Sequence, residues 1–222
     1  MRVERALLAW SSGTDSAWAL QLLRQDPAFE VVGLLTTVNT EFDRVAMHAV
    51  RRCLLERQVE ATGLEPWIVE IPHQASNDQY EKALDQALAR ARRRGIAAIA
   101  FGDLYLEDVR AAREVQVARA GLAPLFPLWN LDTKRLAQDM QAAGLRARVT
   151  CVDPAALDRS FAGREWNATF VADLPAGVDP CGENGEFHTF AYAGPMFTRP
   201  LATTLGAIVE RDGFVFADLL ES

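Results

Sequence analysis

The chain is 222 residues long, half of them hydrophobic and 24% charged, with a formal net charge of −7. This is ordinary globular composition, with length enough for a sizeable core, and the acid excess argues against an extended nucleic-acid surface, which needs a basic face. No apolar run approaches the roughly 20 residues of a membrane span, and Met1-Arg2-Val3-Glu4-Arg5 leads straight into a strand-like run without a signal peptide's apolar stretch, so the expectation is a cytoplasmic protein.

Strand-like and helix-like runs alternate along the first two thirds. Strands are expected over Ala6–Trp10, Val31–Val38, Trp67–Ile71, Ile96–Phe101 and Ala147–Val152. Helices are expected over Ala17–Arg24, His48–Thr62, Asn77–Arg94, Val109–Ala120 and Thr133–Ala143. Gly63 and Gly95 stand where helix C-termini favour glycine, and Asn77 reads as an N-cap. Such alternation implies right-handed βαβ units, hence an α/β fold with a doubly wound, mostly parallel sheet. After Asp153 the texture changes to frequent Pro and Gly. A hairpin is expected around Arg211-Asp212-Gly213, since Asp-Gly between strand-like runs is a strong turn signal. The division read from this is a nucleotide-type α/β domain over 1–152 and a smaller β-rich region over 153–222.

Between the first strand and first helix lies Ser11-Ser12-Gly13-Thr14-Asp15-Ser16. In an open α/β sheet this loop falls at the carboxyl edge, where ligands bind. Small residues let backbone N–H groups approach phosphate, and the helix N-terminus carries partial positive charge. The same residues also suit an ordinary capped βα turn. They do not form a Walker A loop, whose spacing is absent.

Gly102-Asp103 ends another strand at the same edge. Asp103 there suits magnesium, a reacting substrate group, or a turn cap. Arg110 and Arg113, three apart on the next helix, face phosphate or a substrate carboxylate, or else pair with Glu107 and Glu114. Asn77, Tyr80 and Glu81 border such a pocket, and His48 is read as a capping or core residue. In "CGENGEFHTF", Asn184-Gly185 makes a turn between Glu183 and Glu186, and His188 shares a strand face with Glu186. Two carboxylates and an imidazole suit a cationic group, ammonia or proton transfer, and equally a polar hairpin tip. Cys53 and Cys151 read as buried small hydrophobes. The run Arg90 to Arg94 reads as a solvated helix end.

The loop Ser11–Ser16 resembles the S-G-G-x-D-S signature of the PP-loop ATP pyrophosphatases, departing at Ser12, where that superfamily has glycine. "FGDLYLEDVRAARE" (101–114), "DPCGENGEFHTFAYAGPMF" (179–197), "LFPLW" (125–129) and "VNTEFDRVAMH" (38–48) are similar to blocks of the diphthine–ammonia ligase family. The resemblance covers nearly the whole chain up to Phe197 and is most specific at Gly182–Thr189. It implies an enzyme that uses ATP with Mg2+ to adenylate a carboxylate and couples it to ammonia, releasing AMP and pyrophosphate. Ser11, Ser12, Gly13, Thr14, Asp15 and Ser16 would bind the nucleotide. Asp103, Glu183, Glu186 and His188 would be catalytic, with Asp103 also a candidate Mg2+ ligand. Arg110, Arg113, Gly182, Asn184, Gly185 and Thr189 would bind substrate. The acceptor would be protein-borne diphthine or a small molecule; a homodimer is admitted, and neither membrane nor nucleic acid is a partner.

Thr14 stands where the family usually has lysine, which removes a phosphate-neutralising charge. The competing reading is therefore a non-catalytic or weakly hydrolytic nucleotide-binding regulator on the same scaffold. A tRNA-modifying enzyme is disfavoured by the acidic charge and by the lack of a cysteine near Cys181. With Lys82 and Lys134 the only lysines against many arginines, the composition suits a GC-rich, bacterial source, in which the acceptor would not be diphthine.

Overall fold

The computed structural model describes residues 3–222. Met1 and Arg2, read above as leading into the first strand, lie outside the described residues. In chain order the elements are β1 (Glu4–Ala9), α1 (Thr14–Gln25), β2 (Phe29–Asn39), β3 (Arg44–Val45), α2 (Arg52–Thr62), β4 (Glu65–Ile71), α3 (Asn77–Arg93), β5 (Ala98–Ala100), α4 (Glu107–Arg119) and β6 (Ala123–Leu125). Then follow α5 (Thr133–Ala142), β7 (Arg146–Val152), β8 (Glu165–Trp166), α6 (Ala168–Asp173), β9 (Phe187–Ala193), β10 (Thr203–Arg211) and β11 (Phe214–Glu221).

Five strands of the first sheet run parallel, in the order β4-β2-β1-β5-β6. The chain winds outward from β1 to one edge, returns, and winds to the other. The switch point is therefore the gap between the carboxyl ends of β1 and β5, where a crevice opens. The short β3 pairs antiparallel with the end of β2, Val38 with Val45, beyond the point where β1 stops at Ala9 against Leu35. Residues 40–51 thus arch over the loop that follows β1.

The helices divide between the two faces. On one face Leu20, Leu23, Leu54 and Leu55 of α1 and α2 share a core with Leu136 and Met140 of α5 and with Phe187 and Phe190 of β9. On the other, Leu84 and Leu88 of α3 and Val117 of α4 pack on Leu7, Leu35 and Ile99. The second sheet is antiparallel, with β9 on one side of β7 and β8 and β11 also pairing with β7, and β10 outermost beside β11. Alternation alone groups β7 with the α/β strands. It is in fact the middle of the second sheet, so the chain leaves the first sheet before β7, not after Asp153.

Local chemistry explains most boundaries. Gly63 and Gly95 sit just past α2 and α3 in the left-handed region (φ 72° and 75°). Ser76, not Asn77, caps α3: its hydroxyl accepts from the Gln79 amide at 3.2 Å, and the Gln79 side chain accepts from the Ser76 amide at 2.9 Å. Asp212 and Gly213 both have positive φ (52° and 83°), the two-residue turn that matches strand twist and joins β10 to β11. The arginines ending α3 are taken up locally. Arg90 and Arg94 lie over the Trp67 ring at 4.5 and 5.1 Å, and Arg94 pairs with Glu65. Cys151 is buried as expected, but Cys53 is exposed, because its side of α2 faces outward.

Candidate active site

A cleft of about 530 Å3 opens at the switch point. Its walls include Ser11, Asp15 and Ser16 after β1, Gly102 and Asp103 after β5, Arg113 of α4, His48 of the arch, and Gly182, Glu183, Gly185 and His188 from the second sheet. Sequence-distant segments meet because β9 docks on the loop after β1. The Ala191 amide donates to the Ser12 carbonyl at 2.9 Å, and the Thr14 amide donates to the Thr189 hydroxyl at 3.1 Å. Gln58, reaching from α2, donates to both the Ser12 and Ala191 carbonyls.

The first turn of α1 leaves N–H groups that no helical carbonyl can take. Thr189 satisfies Thr14, and the Ser11 hydroxyl accepts from Gly13 at 3.3 Å. The Asp15 and Ser16 amides remain at the cleft. Gly102 keeps them open, for a Cβ there would lie 3.1 Å from the Ser16 nitrogen and from the Asp15 carbonyl carbon. This is a backbone cradle of the kind that takes a phosphate oxygen at a helix N-terminus. Ser12, Gly13 and Thr14 do not face the cleft. Thr14 is buried, with its hydroxyl 3.2 Å from that of Thr189, so these three shape the cradle from behind.

Acids gather at the same edge. Burial, followed by the Glu183 and Asp179 charges, pushes the Asp15 carboxyl well above its usual range. Burial likewise raises Asp103, against the opposing pull of Arg113. Arg113 Nε lies 3.8 Å from Asp103 Oδ2, and both atoms are buried without a hydrogen-bond partner. Buried polar atoms left open inside a cleft mark a place for a polar ligand. Arg110, three residues earlier, does not join them. It stacks on Phe126 and Trp129 at 4.8 and 4.5 Å and bonds Glu114 at 2.7 Å.

The Gly182–Thr189 block divides its work. Glu183 reaches across to the other sheet, where one oxygen accepts from the Leu104 and Tyr105 amides at 2.8 and 3.2 Å. Burial raises its carboxyl, while those amides oppose the shift. Glu186 turns inward. It is 6% exposed and accepts from the Asp179 amide and from the Asn184 amide and side chain. Gly182 has φ 76°, and a Cβ there would meet the Phe187 carbonyl oxygen at 2.6 Å, so the turn requires glycine. Gly185 closes that turn by donating to the Gly182 carbonyl at 3.0 Å. Cys181 is buried, with its thiol raised far out of the reactive range by desolvation.

Residues 132–211 match the family model described as the diphthamide synthase C-terminal domain. A diphthine–ammonia ligase of Schizosaccharomyces pombe is 28% identical over 119 residues, covering 52% of this chain and 20% of the relative. One from Mus musculus is 24% identical over 183 residues, covering 79% and 65%, and one from Bos taurus is 26% identical over 127 residues, covering 55% and 48%. Over its C-terminal part the chain is similar to the diphthamide synthase family. Its matches span less than two thirds of the length of each of these relatives. The family match includes β7, β8, β9 and β10, so it takes in the segment that carries Glu183, Glu186, His188 and Thr189.

His48 is the site residue that sequence reasoning missed. Its ring lies on that of His188, with centroids 4.4 Å apart and planes at 40°. Burial holds both imidazoles below their ordinary pKa, His48 further than His188 because the His188 charge adds to burial. The family-like block 38–48 ends on it, but residue type and spacing alone suit a cap or core histidine, because the arch that delivers it is short and irregular. Among the described residues, no group of three His, Cys, Asp or Glu side chains has metal-site geometry, and no helix is long and apolar enough to cross a membrane.

Proposed function

We propose that the chain is an ATP-dependent ligase that adenylates a carboxylate and couples it to ammonia. The observation that carries this reading is the meeting, in one cleft, of the open Asp15 and Ser16 amides with Asp103, Arg113 and Glu183. The cradle suits the α-phosphate, and Arg113 suits the acceptor carboxylate. An acceptor oxygen attacks the α-phosphorus, the bond to the bridging oxygen of the β-phosphate breaks, and pyrophosphate leaves. Ammonia then attacks the acyl carbon, the bond to the AMP oxygen breaks, and the nitrogen sheds a proton. His188, kept neutral by burial, is the acceptor for that proton.

The Asp15 pKa is raised first by burial and then by the carboxylates of Glu183, Asp179 and Asp103 around it, a gathering of acids that fits a divalent cation. Asp15 and Asp103 would hold Mg2+, which supplies charge neutralisation for the phosphates. Glu183 joins the two sheets across the cleft. Glu186 is a positioning residue that holds the 179–186 turn. Much of the rate in such a site comes from alignment of the reactants.

The test is exchange of radiolabelled pyrophosphate into ATP across a panel of carboxylates, including a diphthine-bearing protein, without ammonia. The reading expects exchange that depends on the carboxylate and falls by about a hundredfold or more in Asp103→Asn, the range for a positioned acid–base or charge partner. Hydrolysis of ATP to ADP and phosphate, or exchange indifferent to every carboxylate, would overturn it.

A further inference from the structure

On the buried face of α2 one amide side chain stands among Leu54, Leu55 and Val59. Gln58 is fully buried, and each of its polar groups is used. Its Oε1 accepts from the Trp10 indole N–H at 2.7 Å, and its Nε2 donates to the Ser12 carbonyl at 3.0 Å and to the Ala191 carbonyl at 2.6 Å. That pattern settles which way round the amide lies, because the reverse orientation would set its oxygen against two carbonyls. It also selects the residue type. The three partners need two donors and one acceptor on an uncharged side chain. Methionine supplies none of these, glutamate supplies at most one donor, and lysine brings a charge and no acceptor.

Holding Ser12 has a consequence at the cleft. Ser12 takes a left-handed backbone (φ 73°), which a serine keeps only where its surroundings enforce it. Its carbonyl oxygen receives two donors from behind, Gln58 Nε2 and the Ala191 amide at 2.9 Å, so both lone pairs are filled. The Ser12–Gly13 peptide is trans, and in a trans peptide the N–H points opposite to the C=O. The Gly13 N–H therefore points forward, to the hydroxyl of Ser11 in the cleft wall. Turned over, the same peptide would present its carbonyl oxygen on the approach to the Asp15 and Ser16 amides. An oxygen there repels an anion, where an N–H attracts one. The brace has a fixed footing. Trp10 is anchored in the first sheet, its amide donating to the Leu35 carbonyl at 2.8 Å and its carbonyl accepting from the Thr36 hydroxyl at 2.9 Å.

We propose that Gln58 is a positioning residue that locks the Ser12–Gly13 peptide with its carbonyl turned away from the cleft, so that a phosphate meets N–H groups and no carbonyl. It touches no ligand and acts through that one peptide. Its service to phosphate rests on the ligase reading above, whereas the direction of the peptide rests on the hydrogen bonds that hold it.

Two variants test the lock. Gln58→Glu keeps the size of the side chain and an acceptor for Trp10, and loses at least one donor. Gln58→Met keeps an unbranched chain and loses all three bonds, so the pair remains informative where one of them folds poorly. Ser-Gly occurs once in the chain, so isotope labelling of the serine carbonyl carbon and the glycine nitrogen isolates the Ser12–Gly13 peptide by NMR. Without ligand, the variants are expected to move or double that signal, and an unmoved signal would overturn the proposal. AMP and adenosine are then titrated by calorimetry. AMP affinity should fall by about ten- to a hundredfold, the worth of one hydrogen bond to a charged group, while adenosine affinity stays at the parental value. Equal losses for both ligands, or no loss for either, would make Gln58 a brace of the fold alone and overturn its role toward phosphate. A parent protein that binds AMP no better than adenosine would instead sink the nucleotide reading, with the ligand-free signal still deciding the lock.

Discussion

Ser12 takes a left-handed backbone (φ 73°) without glycine's freedom, and its hydroxyl is buried with no partner. Both features oppose folding, and both trace to the departure from glycine noted in the sequence. Ser12→Gly should therefore stabilise the protein. Relief of strain and of the unsatisfied hydroxyl, each about 1–2 kcal/mol, outweighs the entropy that glycine adds to the unfolded chain, about 0.4–1 kcal/mol. A net gain of about 1–3 kcal/mol is expected, and with it a rise in melting temperature of about 2–4 °C for each kcal/mol. An unchanged or lower value would show the serine to be at ease in this turn. Asp15 carries a related cost. Its folded-state pKa is raised, so the native state binds the proton more tightly than the unfolded chain. The ionised carboxylate then costs stability at neutral pH, and the cost fades as pH falls toward the unfolded value near 3.9. Asp15→Asn should melt about 2–4 °C above the parent at pH 7, with the difference shrinking on acidification. A difference independent of pH would refute the charge explanation. Such a cost is expected of an acid kept for a cation and not for the fold.

At the scale of elements, β9 is what turns a βα turn into a ligand cradle. Thr189 supplies from another sheet the hydroxyl that a capping serine or threonine would ordinarily supply within a helix. Thr189→Val keeps the shape and removes the acceptor. It should cost about 1 kcal/mol, the usual worth of a cap, and weaken AMP binding as the loop loosens. Differential scanning calorimetry and isothermal titration read the two effects, and a variant with parental stability would deny the cap. None of this was legible in the sequence, where Thr189 reads as a substrate-binding residue at the end of a motif. Periodicity found β1, β2, β4, β5 and β7 and the helices α1 to α5, with ends shifted by a few residues. It passed over β6, whose three residues include Pro124, and over the two-residue β3, since neither is long enough to show alternation. The arch around His48 was missed for the same reason: its conformation is imposed by Asp218, 170 residues downstream of His48.

For the whole molecule, two sheets meet along one cleft, and each brings a different kind of chemistry. The first offers helix-terminal amides and strand-end acids. The second brings Glu183 and His188 to face them. The sequence was informative about the first because loops after parallel strands always emerge at one edge. It was less so about the second, because orientation there depends on tertiary partners. Glu183 and Glu186, three residues apart, point to different places: one bonds the Leu104 and Tyr105 amides and the other its own turn. Arg110 and Arg113 part company likewise, one to an aromatic stack and one to the cleft.

The central claim is that this shared cleft is a nucleotide site with its phosphate over α1. A crystal structure of the protein with AMP and Mg2+ tests it directly. The account predicts a phosphate oxygen within hydrogen-bond reach of the Asp15 and Ser16 amides, beside Gly102 and facing the Asp103–Arg113 pair. A nucleotide bound elsewhere, with that cradle empty, would contradict it.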